Sequence, residues 1–340
     1  MSKDNEDIAI SADLSLPPTE PQGFAPEEMV RCEECLRANP PTRVDCLYCG
    51  KVLPLSEDGA AKARPSLRPL EKWEQGYNCI LVRSPDEDLR EQSIAEAASF
   101  LRLGVADLNS IIRSKKSLPL ARAATGEEAE LIIRGLGAFG LEVKIVSDEA
   151  LAVDTSPPRR LRTMELQESG VEMLPPSGDG KNVEWNEIQL VLSGRLFAKQ
   201  VETKERKRRG AEKQILDARE TANDEAVFDI YTQGPDAGWR ILANNFDFSC
   251  LGARKGLLAA ENFATLMQLI CERTPHAEHD NTYVGLRRIL ELIWPSDQTT
   301  SSLGWRRDRA GKYSTGEVSI TSNESQFTRF SRLCHLLRST

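Results

Sequence analysis

Apolar positions along the chain recur in two rhythms, one helical and one alternating. YNCILVR (77–83) is a short apolar run of strand character. Over 93–103, Ile94, Ala97, Ala98 and Leu101 share one helical face, and Gly104 breaks it. A second helix follows over 105–113, with Leu108, Ile111 and Ile112 as its stripe. SLPLARAA reads as a weak strand that Pro119 confines to an edge. Thr125 and Glu128 then form a capping box before Ala129, Ile132, Ile133 and Leu136, and Gly140 closes that helix. Leu141, Val143 and Ile145 alternate with Glu142 and Lys144, as in a half-buried strand.

Beyond residue 158 the rhythm changes to alternation. Residues 159–175 read as a hairpin turning at Ser169-Gly170. One or two strands follow over 183–205, and Gly234-Pro235 joins a further strand pair, 226–233 and 238–249. Three helical stripes close the chain. Phe263, Leu266, Met267 and Ile270 lie on 259–273; Leu286, Ile289, Leu290 and Ile293 on 283–294; Phe327, Phe330, Leu333, Cys334 and Leu337 on 324–338. The stretch from Pro295 to the last of these is polar and rich in Ser, Thr and Arg, without a periodic signal.

Four of the eight cysteines change the picture most. Cys32, Cys35, Cys46 and Cys49 form C-x2-C-x10-C-x2-C. Each pair folds two sulfurs around one point, and two pairs supply the four thiolates of a tetrahedral Zn2+ site. Gly50 suits the tight knuckle after the second pair. A closed four-thiolate set leaves no position for water, so one structural ion is expected, whose binding drives the folding of so small a module. Cys79, Cys250, Cys271 and Cys334 are scattered among apolar neighbours and read as buried, inert thiols.

These residues carry three resemblances. The cysteine motif resembles short zinc ribbons. The stretches ATGEEAELIIRGLGAFGLEVKIV and LRLGVADLNSIIRS resemble the last helix and strand, and the helix-turn-helix, of the ribosomal stalk protein C-terminal domain. That resemblance implies a compact β-α-α-β-α-β fold. The family recruits translation factors through a lysine-bearing helix, whereas the matching EQSIAEAASFLRLG is acidic. Several antiparallel strands followed by one amphipathic helix resemble the pleckstrin-homology-like fold, with VEWNEIQLV as the strand entry and a long charged insert at 203–225.

The expected fold class is therefore multidomain α+β. It comprises an acidic disordered tail (1–30), a zinc ribbon (31–53), a linker (54–74) and a stalk-like α/β domain (75–149). A second linker (150–158) leads to an antiparallel, barrel-like β domain with a capping helix (159–275) and a helical and polar extension (276–340).

Composition then narrows function. The formal net charge is −8, and residues 1–30 alone hold seven acidic side chains and one lysine. That balance opposes a surface gripping nucleic acid or anionic membrane throughout. TKERKRRG nonetheless places Lys204, Arg206, Lys207, Arg208 and Arg209 together, a candidate for phosphate or nucleic-acid contact, or a solvated hairpin tip balanced by nearby acids. Trp305, Arg306, Arg307, Arg309, Lys312 and Tyr313 make a second basic-aromatic patch. His276, His279 and Asp280 have metal-like spacing in a polar loop. With three His and no nucleophile-elbow, phosphate-loop or zinc-protease motif, the chain reads as no enzyme, without a small-molecule substrate. No apolar run is long enough to span a membrane, and the acidic start lacks a secretory pattern, so a cytoplasmic protein is expected. The expected function is an adaptor or regulator with an unidentified protein partner. The alternative is association with nucleic acid or the ribosome through the ribbon and 204–209.

Overall fold

The computed structural model describes residues 24–26, 29–41, 43, 46–51, 53, 64–71, 73–83, 90–206, 214–234, 238–309 and 312–338. The tail expected to be disordered lies outside them up to residue 23, and so does most of the first linker (54–63). The chain divides into two compact units, Met1–Arg64 and Pro65–Thr340. The first holds a two-stranded antiparallel sheet of β1 (Val30–Arg31) and β2 (Ala38–Asn39) beside the cysteine motif.

The second unit is mixed α+β. Its opening elements follow the periodicity closely: β3 (Tyr77–Arg83), α1 (Glu91–Leu101), α2 (Val105–Arg113), β4 (Leu118–Ala123), α3 (Gly126–Ala138) and β5 (Glu142–Ser147). The strands form an antiparallel sheet ordered β4-β3-β5, with Pro119 on an outer strand. The capping box is half formed. Thr125 accepts from the Glu128 N–H at 3.2 Å, but the buried Glu128 carboxylate does not return to it. It accepts instead from Leu67 N at 2.8 Å and Ala124 N at 3.1 Å, which seats the end of the expected first linker on α3.

After α4 (Asp148–Leu151) come β6 (Arg159–Arg160), β7 (Thr163–Leu166), β8 (Gly170–Leu174), β9 (Lys181–Glu184), β10 (Ile188–Arg206), β11 (Gln214–Thr232) and β12 (Trp239–Leu242). α5 (Ala259–Arg273), β13 (Glu278–Asp280), α6 (Tyr283–Leu290), β14 (Asp297–Arg309), β15 (Lys312–Ser322) and α7 (Glu324–Arg338) complete the chain. A small sheet, β7-β8-β9, accompanies a large one ordered β14-β15-β10-β11-β12-β6, with β13 parallel alongside β10. The polar stretch after Pro295, which carries no periodic signal, is thus a hairpin. It is held by backbone pairing of Thr315–Ser322 with β10 over 198–205 rather than by an apolar face. The described parts of the charged insert, 203–206 and 214–225, likewise continue the β10–β11 ladder.

Alternation explains the core. Val227 and Tyr231 point to one face of β11, with Leu190, Leu192 and Leu242 from its neighbours. Phe228 and Ile230 point to the other, with Val191, Trp239 and Ile241. The first face meets α6 and α7 and shares one apolar cluster with the β3–β5 segment. The second meets α5 and the β7–β9 sheet. Gly194 permits a close approach of α6 and α7 to β10. A Cβ there would lie 2.6 Å from the Phe327 ring and 2.9 Å from that of Tyr283.

Residues 150–158, expected as a linker, begin within this packing. Leu151 is fully buried, and its carbonyl accepts from Arg332 Nε at 3.0 Å. A further tie is Trp294, whose Nε1 donates to Asn78 Oδ1 at 2.8 Å. Asn78 in turn donates to Asp148 Oδ1 at 2.9 Å and to the Val146 carbonyl at 3.0 Å. Trp294→Phe retains most of the buried ring but orphans Asn78 Oδ1. A loss of about 1–3 kcal/mol is expected in chemical denaturation, and a change near zero would show that the carbonyl finds another donor.

Candidate metal centre

The four cysteines sit on two knuckles of the same design. In the first, Cys32 N donates to the Arg37 carbonyl at 3.0 Å and Leu36 N to the Cys32 carbonyl at 2.9 Å. In the second, Cys46 N donates to the Lys51 carbonyl at 2.7 Å and Gly50 N to the Cys46 carbonyl at 3.0 Å. Both turns close through a left-handed residue four positions after the leading cysteine, Leu36 at φ 58° and Gly50 at φ 71°. Glycine meets that demand freely, while Leu36 bears the Cβ penalty.

Folded so, the four Sγ atoms lie within 4.8 Å of one another. Cys32 and Cys49 are 3.5 Å apart, as are Cys35 and Cys46. Four thiolates bonded at about 2.3 Å to a tetrahedral ion stand about 3.8 Å apart, so this set can hold a metal ion with little adjustment. Among the described residues it is the only convergent group of three or more Cys, His, Asp or Glu donors.

The electrostatics favour a cation. Desolvation opposes ionisation of Cys46. The Tyr48 and Cys49 N–H groups, together with Cys35 and Asn39, outweigh it and bring that thiol down to about 6. At Cys49 the Lys51 N–H favours the thiolate, but desolvation and the Cys32, Cys35 and Cys46 sulfurs prevail and push the thiol up to about 12. The quartet accepts one negative charge readily and resists a second. A divalent ion removes that conflict.

Asn39 escapes a reading based on cysteine spacing. It is fully buried, and its Oδ1 accepts from Leu47 N at 2.8 Å. Its Nδ2 reaches the Arg37 carbonyl at 2.9 Å and Cys46 Sγ at 3.5 Å. One amide therefore binds both knuckles and a ligand sulfur. The only sequence signal is a β-turn-prone residue in an otherwise extended dipeptide. Asn39→Ala is expected to weaken metal retention by about 10- to 100-fold in chelator competition, as loss of outer-shell partners does. An unchanged affinity would reduce Asn39 to a packing residue.

The remaining candidates do not converge on this site or on each other. Lys204 lies on β10 opposite Asp217, and Arg206 opposite Gln214. The side chain of Arg206, and Lys207, Arg208 and Arg209 entirely, fall outside the described residues. The side chains of Trp305, Arg306, Arg307, Arg309, Lys312 and Tyr313 do so as well, although their backbones pair in β14 and β15. Neighbouring charges on β10 and β11 are matched: Lys199 pairs with Glu220 at 2.9 Å and Arg195 with Asp224 at 3.0 Å.

The metal-like spacing of His276, His279 and Asp280 gathers no ligands. Asp280 is buried and takes Lys116 at 2.7 Å and both Thr282 donors, while His276 is exposed. Cys79 fits the expectation of an inert thiol, since burial pushes it up to about 12. Cys250, Cys271 and Cys334 depart from it in being only partly buried. An open concavity of about 430 Å³ lies by β6 and β12. The two arginines lining it already have partners, Arg160 in Glu324 at 2.7 Å and Arg162 in the carbonyl of Asn245, another lining residue, at 3.3 Å. No helix among the described residues is long and apolar enough to cross a membrane. No family model, curated protein or solved structure matches the chain.

Proposed function

We propose that the protein is a non-catalytic zinc-binding adaptor or regulator that acts in the cytoplasm through protein–protein contacts. The convergence of Cys32, Cys35, Cys46 and Cys49 carries this reading. Four thiolates and no oxygen ligand select zinc over the hard cations, and the closed set makes one ion structural rather than reactive. In this reading residues 31–53 are a short zinc ribbon. The 75–149 segment follows the stalk-protein C-terminal plan, and 159–275 follows the pleckstrin-homology-like plan.

An adaptor role is supported by apolar side chains left in solvent on the knuckles: Leu36, Leu47 and Tyr48 are 69%, 53% and 56% exposed. On the second unit, Leu257 and Leu258 before α5 are likewise exposed. Residues so placed serve recognition better than folding.

The test has two arms. Purified protein is expected to carry about one zinc per chain. Affinity capture from the native cell, with and without nuclease, is expected to retain its protein partners in both conditions. Loss of every partner on nuclease treatment, with RNA or DNA binding that weakens steeply with salt, would transfer the assignment to nucleic acid or the ribosome. The basic 204–209 segment would then be the first target for neutralisation.

A further inference from the structure

Cys271 lies in the last turn of α5, and the chain then turns back so that β13 brings His279 beside it. Cys271 Sγ and His279 Nδ1 are 3.1 Å apart. On the other side of the ring, His279 Nε2 is 2.9 Å from the Thr274 carbonyl oxygen. That oxygen only accepts, so Nε2 carries the ring proton and Nδ1 is the bare nitrogen. The Cys271 S–H donates to it. β13 holds the imidazole in place through its parallel pairing with β10, in which His279 stands opposite Val191. Cys271 is partly exposed and His279 exposed, so a small molecule in solution can reach both.

The surrounding charge determines how such a pair works. Desolvation pushes the Cys271 thiol above its ordinary value, and the neighbouring Glu272 adds to the effect. The carbonyl end of α5 also disfavours a thiolate. Of the acids on β13, Glu278 pairs with Arg338 and Asp280 with Lys116. The resting sulfur is therefore a thiol, and it reacts by giving its proton to His279 as it attacks. A nucleophile, a base in contact with it and a third group fixing the base's tautomer together make an activated thiol.

We propose that Cys271 and His279 form a thiol-modification site that takes disulfides of small thiols, of the glutathione type. Cys271 Sγ attacks one sulfur of the disulfide, a new S–S bond forms to Cys271, and the original S–S bond breaks. The Cys271 proton passes to His279 Nδ1 and then to the departing thiolate, which leaves as the free thiol. Cys271 is oxidised to a mixed disulfide while one half of the small disulfide is reduced.

The test exposes the full-length protein to glutathione disulfide, quenches with acid at intervals and reads each cysteine by peptide mass spectrometry. Cys250 is the internal reference, a partly buried thiol pushed up to about 11. Cys271 is expected to be modified at least about tenfold faster than Cys250. His279→Ala should slow it about tenfold or more, and added imidazole should restore part of the rate. Equal rates at Cys271 and Cys250, or an unchanged Cys271 rate in His279→Ala, would overturn the proposal. If that variant does not fold, the comparison of the two cysteines in the unaltered protein decides.

Discussion

Cys46→Ser is expected to abolish zinc retention and with it the structure of residues 30–53. The apolar cluster available to this module is Cys32, Cys46 and Leu53, with Val30 and Cys35 against it. Two of the three buried members are themselves ligands, so little apolar burial remains once the ion is lost. Structural zinc contributes about 10–16 kcal/mol of apparent folding free energy in comparable modules, far more than such a cluster supplies. Cys46 is the most informative of the four to change. It is the thiol most readily ionised, and it receives Asn39 Nδ2 at 3.5 Å and Tyr48 N at 3.4 Å. Serine leaves both donors without the sulfur. Zinc analysis of the purified variant and protease sensitivity across 30–53 provide the check. The Pro65–Thr340 unit has its own apolar clusters and should melt as before. A variant that keeps about one zinc per chain would remove Cys46 from the ligand set.

The second large effect lies at the centre of the main sheet. Asp229 on β11 and Arg240 on β12 are cross-strand partners on a face that is otherwise apolar, 0% and 2% exposed as side chains. Their two hydrogen bonds are both 2.8 Å. Ser331 on α7 donates to Asp229 Oδ2 at 2.7 Å and lies 2.7 Å from the Tyr231 hydroxyl. Desolvation works against the Arg240 charge, but Asp229 outweighs it and holds the guanidinium protonated. Asp229→Asn removes that counter-charge while keeping the volume. The expected loss is about 3–5 kcal/mol, because Arg240 then stays buried with only the partly exposed Glu324, 3.3 Å from its Nη1, as counter-charge. Replacing both partners together with apolar residues of similar size should cost less than Asp229→Asn alone. Denaturant midpoints of the three proteins check this, and a loss below about 1 kcal/mol for Asp229→Asn would mean that water reaches the pair.

How much could be read in advance depends on which force builds each element. α2, α5 and α7 match their apolar stripes because each buries one face, and β3 matches its run because both its faces are covered. β14 reads DQTTSSLGWRRDR and shows no alternation, since its described side chains are largely in solvent and its partner is backbone. Pairing of that kind leaves almost no trace in the order of apolar residues. The cysteine cluster was legible because ligand spacing is a local property. Asn39 was not, because an amide shows its use only when both knuckles are in place. The Cys271–His279 contact was hidden for a related reason. The seven residues between them include a helix end and a reversal, and spacing alone suggests metal ligands instead.

The Trp294–Asn78 hydrogen bond also bears on how the protein is made. Its two ends are 216 residues apart in the chain. The β3–β5 segment leaves the ribosome long before Trp294, Phe327, Phe330 and Leu333, which complete the apolar cluster it shares. At about 5–20 residues per second, roughly 10–40 s separate the synthesis of Asn78 from that of Trp294. For that interval the nascent chain presents an apolar surface whose native cover has not yet been translated. Chaperone dependence during synthesis, and sensitivity to truncation before α7, follow from this order of assembly.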